Sequence, residues 1–150
     1  MIEKLKKKDI EEASMVYSKG LSMEIPKGFE PIKEIEVRLR DELIVYVSKE
    51  KEKINGLVSF EIKDSKITLD FICALQTRKG IGRKLLVKIA EFALKKEIKF
   101  VYSNVSSMDK RVMSFYRKMG FTKYSSYHAT KNFLLYRIKA RPETIIEKGS

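Results

Sequence analysis

Residues Ile67–Ala93, ITLDFICALQTRKGIGRKLLVKIAEFA, change period part-way along. Ile67 to Leu75 is apolar and rich in β-branched residues, the make-up of a strand. From Gly82 the apolar residues fall at Leu85, Leu86, Ile89, Phe92 and Ala93, which is one face of a helix running to about Lys96. Lys95 and Lys96 suit its C-terminal end, where the helix dipole favours cations. Phe100 to Val105 reads as the next strand, so a βαβ crossover begins at Ile67.

Upstream, Glu42–Ser48 and Ile54–Ile62 read as two more strands. Their links, KEKE and the turn-like Asp64-Ser65, are short, so the economical reading is an antiparallel meander. Residues 2–8 alternate as a short edge strand does, and Asp9 stands where an N-cap would for a helix over about 10–19. Gly20 stops that helix, and residues 21–30, with Pro26 and Gly28, form a loop. Pro31 opens a helix to about Arg40. Downstream, Asp109–Met119 places Val112, Phe115, Tyr116 and Met119 on one helical face, and Gly120 is its left-handed stop. Phe121–Tyr127 and Asn132–Ile138 are the final strands. The expected order is β-α-α-β-β-β-α-β-α-β-β, a mixed sheet in an α/β (α+β) fold whose faces helices must cover. Residues 1–140 are expected as one domain, with a frayed tail over 141–150.

Composition fits that reading. With 150 residues, 43% apolar and 35% charged, the chain can bury one sizeable core and is not a disordered or linker-like sequence. Cys73 is the single cysteine, so no internal disulfide exists. No apolar run has the length of a membrane span, and the charged start MIEKLKKKDIEE is not a secretory signal. A cytoplasmic protein away from membranes is expected. The net charge is +12, a field that favours polyanions. Lys outnumbers Arg 24 to 8 and is scattered, however, and base recognition leans on Arg forks. The charge therefore reads as a solvated surface, and nucleic acid is not the expected partner.

The junction Gln76–Lys84, QTRKGIGRK, is where chemistry enters. Gly80 and Gly82 let the backbone turn tightly and approach a ligand. The free N–H groups of the following helix, with its positive dipole end, point into the same space. Arg78, Lys79, Arg83 and Lys84 add cations. An ordinary strand-to-helix turn in a basic protein would look similar. Two alternatives fail outright. Leu85 stands where the dinucleotide fingerprint needs its third glycine, and the P-loop pattern is absent.

Residues 104–121, NVSSMDKRVMSFYRKMGF, together with QTRKGIGRKLL, resemble the GNAT superfamily of acyl-CoA-dependent N-acyltransferases. The family pattern R/Q-x-x-G-x-G/A falls on Thr77, Arg78, Lys79, Gly80, Ile81 and Gly82. Its N-x-x-A-x-x-x-Y-x-x-x-G-F pattern falls on Asp109, Val112, Tyr116, Gly120 and Phe121. Thr77 and Asp109 depart from it. The resemblance spans about residues 2–138. It implies acetyl transfer from acetyl-CoA to an amine by direct attack in a ternary complex, with no metal. It further implies cofactor contacts from Cys73, Ala74, Leu75, Arg78, Lys79, Gly80, Ile81, Gly82, Arg83 and Asp109.

The chemistry requires a neutral amine, a polarised thioester carbonyl and a proton for the departing thiolate. Tyr116 matches the family tyrosine that protonates the sulfur. By its spacing alone it is equally a core residue. Asp70 is the candidate base, with Glu61, His128 or a water relay as alternatives; burial would raise either carboxylate toward a useful range. Cys73 reads as a small strand residue, since no acid or histidine is near it in sequence to activate it. The acceptor is expected against residues 21–40 and Tyr124, Tyr127 and His128, with Glu24, Phe29 and Glu30 as candidate contacts. It is a small-molecule or protein amine. A homodimer is compatible with the resemblance. Two rival readings remain: a CoA- or nucleotide-binding module without catalysis, and a basic nucleic-acid-binding protein.

Overall fold

A computed structural model describes residues 1–20, 28, 30–75, 80–106, 110–125, 133–139 and 141, with side chains 105–106, 111–112, 124–125 and 133–136 outside that description. Its strands are β1 (Ile2–Lys4), β2 (Ile44–Glu50), β3 (Lys53–Lys63), β4 (Lys66–Ala74), β5 (Phe100–Ser106), β6 (Thr122–Ser125) and β7 (Phe133–Lys139). Its helices are α1 (Ile10–Gly20), α2 (Pro31–Arg40), α3 (Ile81–Lys95) and α4 (Lys110–Lys118), with a 3₁₀ turn at Lys7–Asp9. The strands form one mixed sheet in the order β1-β2-β3-β4-β5-β7-β6. The chain divides into two compact units, Met1–Glu61 with Phe71–Leu85, and Ile62–Asp70 with Leu86–Ser150.

In the first unit β1, β2 and β3 pair antiparallel. Val45, Val47 and Leu57 share one face and pack with Ala13, Val16 and Tyr17 of α1 and Ile35 of α2. Each such fully buried aliphatic side chain stabilises by roughly 1.5–3 kcal/mol. Between Ser48↔Gly56 and Lys49↔Ile54 the register slips, leaving Asn55 as an extra residue on β3. That β-bulge bends the strand locally. The two-residue links Lys51-Glu52 and Asp64-Ser65 both have positive φ at both positions, the I′ pattern, without a glycine in either. Asp9 precedes α1 as expected, but its carboxylate is engaged elsewhere. Lys49 Nζ donates to Asp9 Oδ2 and lies against Glu3 Oε1, each at 2.9 Å. This triad ties β1 and the 3₁₀ turn to β2.

In the second unit β4 and β5 run parallel, β5 pairs antiparallel with β7, and β7 with β6. Ile67, Leu69, Val101, Ser103 and Ile138 are buried. Helix α4 ends on Gly120, at φ +105°. The Phe121 amide donates to the Tyr116 carbonyl at 3.0 Å and the Gly120 amide to Arg117 at 3.0 Å, a Schellman closure. The same closure ends α3, with the Ile98 amide on Ala93 at 2.8 Å, but there Glu97 occupies the left-handed position, at φ +59°.

Candidate functional site

The first unit holds the end of β4 and the start of α3. Gly80 adopts φ +70°, and its carbonyl accepts the Lys84 amide at 3.0 Å, so helical bonding begins there. A helix leaves its first N–H groups without internal partners. Here those belong to Ile81, Gly82 and Arg83. The first turn of α3 has no acid to compete for them, and Arg83 and Lys84 are exposed beside them. The turn is an electropositive set of backbone donors, suited to a pyrophosphate such as that of CoA. Thr77, Arg78 and Lys79 lie outside the described residues, as do Gln76, Asp109, His128, Glu24 and Phe29, and the side chain of Tyr124 with the whole of Tyr127.

Gly56 fixes where this turn sits. A Cβ added there would stand 2.6 Å from Ile81 Cγ2, 3.1 Å from the Cys73 carbonyl oxygen and 3.4 Å from Leu85 Cδ1. The β3 backbone thus touches both β4 and the first turn of α3. A glycine inside a strand pattern signals such an approach, and INGLV carries that signal unread. Next to it, the Leu75 amide donates to the Asn55 carbonyl at 2.9 Å, while Asn55 Oδ1 is buried with no hydrogen-bond partner. Leu75 leaves its side chain 43% exposed at the strand end. An orphaned acceptor and an open apolar residue at one strand end fit an amide-bearing arm with an apolar stretch.

Cys73 faces α1. A Cβ on Gly20 would come within 2.6 Å of Cys73 Cβ, and the thiol lies 4.0 Å from the Val16 carbonyl. Burial pushes the thiol up to about 12, against a weak opposing hydrogen bond from the Leu57 backbone. It stays a thiol at neutral pH, without the thiolate a nucleophile needs.

Beside it, the residues before the strand end build an aromatic wall that was not legible beforehand. Tyr17 and Phe71 have ring centroids 4.5 Å apart. The Arg38 guanidinium lies 5.2 Å from the first and 4.9 Å from the second. Arg38 also donates to Glu34, at 3.0 Å to its carbonyl and 3.2 Å to its carboxylate. Glu30, a proposed acceptor contact, pairs with Lys33 at 2.8 Å.

The second unit holds Tyr116. It is 3% exposed, with edge-on contacts to Phe115 and Phe121 at 5.3 and 5.0 Å. Its hydroxyl is pushed up to about 12, first by burial and further by the negative charge of Asp70; a hydrogen bond with Ser103 opposes both. Tyr116 therefore rests protonated at neutral pH, hydrogen-bonded with Ser103. The register Leu69↔Ser103 brings Asp70 to the same neighbourhood. Asp70 and Glu61 are both exposed, the solvent-facing of the two placements their strands allowed. Asp70 follows the buried Leu69 on the alternating part of β4, whereas Glu61 begins the exposed end of β3, past a stretch buried on both faces. A groove of about 390 Å³ lined by Lys110, Met113, Ser114, Arg117 and Lys118 runs along α4, on positions other than that of Tyr116. Among the described residues, no helix is long and apolar enough to cross a membrane.

A family profile described as an acetyltransferase (GNAT) domain matches residues 18–139. Among solved structures, the ribosomal-protein-S18-alanine N-acetyltransferase from Escherichia coli is similar, with TM-score 0.75 and 14% identity over 100% of this chain and 97% of that one. The PaiA N-acetyltransferase from Thermoplasma acidophilum, solved in complex with coenzyme A, gives TM-score 0.76 and 20% identity over 93% and 98%. The ribosomal-protein-alanine N-acetyltransferase from Brucella melitensis gives 0.69 and 16% over 93% and 99%. At these identities the likeness is one of fold. No curated protein gives a significant match.

Proposed function

From the premise that the chain belongs to the GNAT acetyltransferase family, we propose that it moves an acetyl group from acetyl-CoA to a primary amine by direct attack in a ternary complex. The observation that carries this reading is a family match spanning both the Gly80–Gly82 turn and Tyr116. The amide groups of Ile81, Gly82 and Arg83, with Gly80 setting the turn, hold the pyrophosphate. The backbone of Cys73, Ala74 and Leu75 pairs with the pantetheine arm, and Asn55 Oδ1 accepts one of its amide protons. A backbone N–H at that strand end polarises the thioester carbonyl as the amine attacks. The C–N bond forms, the C–S bond breaks, and the thiolate departs. Tyr116 donates its hydroxyl proton to that sulfur. Because its acidity is weak, full transfer relies on Ser103 hydrogen-bonding the phenolate left behind. Asp70 takes the amine's proton through water, as a solvent-exposed carboxylate can.

The acceptor we favour is a protein N-terminal amine, because two of the similar structures carry the names of ribosomal-protein alanine acetyltransferases. A small amine is the second class to screen. Residues 1–140 are taken as one catalytic domain, working in the cytoplasm, with a homodimer compatible. The test is thermal unfolding with acetyl-CoA, CoA and ATP, followed by CoA release over a panel of peptide and small amines. A ligand held only by the folded state stabilises by about 2.7 kcal/mol at 100 times its Kd. A shift with both CoA species but not ATP, and turnover on one amine class, is the expected result. Binding without turnover on any amine points to a CoA-binding module, as the Thr77 and Asp109 departures would have it. No shift at all removes the reading.

A further inference from the structure

The register slip between β2 and β3 is gripped from both strands by one short stretch of chain. Lys49 and Ile54 pair with each other at the slip. The Lys49 ammonium donates to Asp9 Oδ2 at 2.9 Å. The Ile54 amide donates to Glu12 Oε2, also at 2.9 Å, across 42 positions of sequence. Asp9 and Glu12 stand three apart where α1 begins, so a single helix start holds both members of that pair.

The two grips differ in kind. A lysine side chain bends, so its ion pair ties the strands together without setting a backbone atom. A carboxylate that accepts from a main-chain N–H fixes the orientation of a peptide. Glu12 also forgoes its local option. From the third position of a helix a glutamate ordinarily reaches back to the amide just before the helix. Here that amide, of Asp9, already donates to the Lys6 carbonyl at 2.9 Å, and Glu12 is spent on the sheet.

The residue it fixes is followed directly by Asn55, the extra residue of the bulge. Asn55 is half-buried, and its carbonyl accepts the Leu75 amide at 2.9 Å. Its Oδ1 is buried without a hydrogen-bond partner. Folds ordinarily pair their buried acceptors, so this one marks a place for an incoming N–H. Bulges re-aim side chains beside sites. Were this one to move by a single residue, the side chains past it would turn to the other face.

We propose that Glu12 is a positioning residue for the pantetheine arm. By accepting from Ile54 it pins the bulge, and so aims Asn55 Oδ1 at an amide N–H of the arm. Glu12 touches no ligand itself and acts through Asn55. What it needs is reach and an acceptor atom, not its charge. The proposal rests on the acetyl-CoA reading.

The experiment is calorimetric titration of the full chain with CoA and with 3′-phosphoadenosine 5′-diphosphate, which keeps the pyrophosphate and lacks the arm. Glu12→Ala, and Glu12→Asp with its shorter reach, should each weaken CoA by about 5-fold, the worth of one neutral hydrogen bond. The armless ligand should bind these variants as it binds the unaltered protein. Glu12→Gln keeps the reach and a carbonyl acceptor, so CoA affinity should stay within about 2-fold. In an Asn55→Ala background, Glu12→Ala should change CoA affinity no further, because the two residues act as one unit. If Glu12→Ala fails to fold, judged by its unfolding transition, Glu12→Asp and Glu12→Gln decide alone. A merely structural Glu12 would weaken both ligands in step. That result, unchanged CoA affinity in the folded variants, an equal loss in Glu12→Gln, or additivity with Asn55→Ala overturns the proposal and leaves the acetyl-CoA reading standing. Failure of the unaltered protein to bind CoA removes that reading and the proposal with it.

Discussion

Substituting Gly56→Ala tests how the turn proposed to bind phosphate is held. The new Cβ would sit 2.6 Å from Ile81 Cγ2, where carbon–carbon contacts settle at about 3.5–4.0 Å. The gap to open is therefore about 1 Å. Retreat toward β4 is barred, because the Cys73 carbonyl oxygen is already 3.1 Å away. Either Ile81 leaves its rotamer or the first turn of α3 moves outward. Overpacking of this kind costs about 1–3 kcal/mol, offset by the 0.4–1 kcal/mol that alanine gains by restricting the unfolded chain. The mid-range net cost is about 1.3 kcal/mol, so at about 2–4 °C per kcal/mol for a chain this size the unfolding midpoint should fall by roughly 3–5 °C. A turn shifted by about 1 Å also loses a charge-assisted bond to phosphate of about 1.5–3 kcal/mol, so CoA affinity should fall by roughly 10- to 100-fold. Calorimetric titration of CoA reads the second effect and a thermal scan the first. Ile81→Leu deletes Cγ2 at constant volume, so the double variant should recover at least half of both losses. An unchanged midpoint and CoA affinity in Gly56→Ala, or simple additivity with Ile81→Leu, would refute the packing argument.

Tyr116→Phe should lower kcat by about 100-fold while leaving CoA affinity unchanged, as steady-state kinetics and titration of the variant would show; unaltered turnover removes Tyr116 from the mechanism. Ser59 is fully buried and its hydroxyl has no partner, so Ser59→Ala should stabilise the protein by about 1 kcal/mol, read as a raised midpoint. Glu97→Gly should also stabilise it by about 1 kcal/mol, since glycine meets a φ of +59° without the steric penalty of an L side chain; a lower midpoint contradicts the Schellman assignment. Hydrogen bonds to Lys49 hold the Glu3 and Asp9 carboxyls below their ordinary values of 4.5 and 3.8. Their contribution is present above about pH 4.5 and is lost as pH falls through the lowered values. Lys49→Met should flatten the acid limb of stability against pH, and an unchanged limb would mean the triad is not what titrates.

The fold was legible because its decisive signals are local. The change of period at Gly82 needs only a dozen consecutive residues, and α2 falls on Pro31–Arg40, where Pro31 placed its start. Gly80 and Tyr116 stand out as site candidates for the same reason, since each sits in a short contiguous motif. What was not legible depends on register. Asp70 lies in an apolar-looking run that left a buried and a solvent-facing placement both open, and alternation along β4 turns it outward, between the buried Leu69 and the half-buried Phe71. Asp9 was read as a cap, and the side chain it meets, Lys49, is 40 positions away.

The outward face of β4, β5 and β7 makes the same point about charge. Along the chain its aromatic and cationic members lie at 66, 100, 102, 137 and 139, and no window of 35 residues holds more than two of them. Scattered lysines therefore read as solvation, whereas three paired strands bring five of these residues onto one side. Alternation is what makes this possible. Strands whose inward positions are filled by Ile67, Leu69, Val101 and Ile138 leave their outward positions free of packing demands. Two aromatic rings at such positions are not needed by the core, which already has its own on the other side in Tyr116 and Phe121.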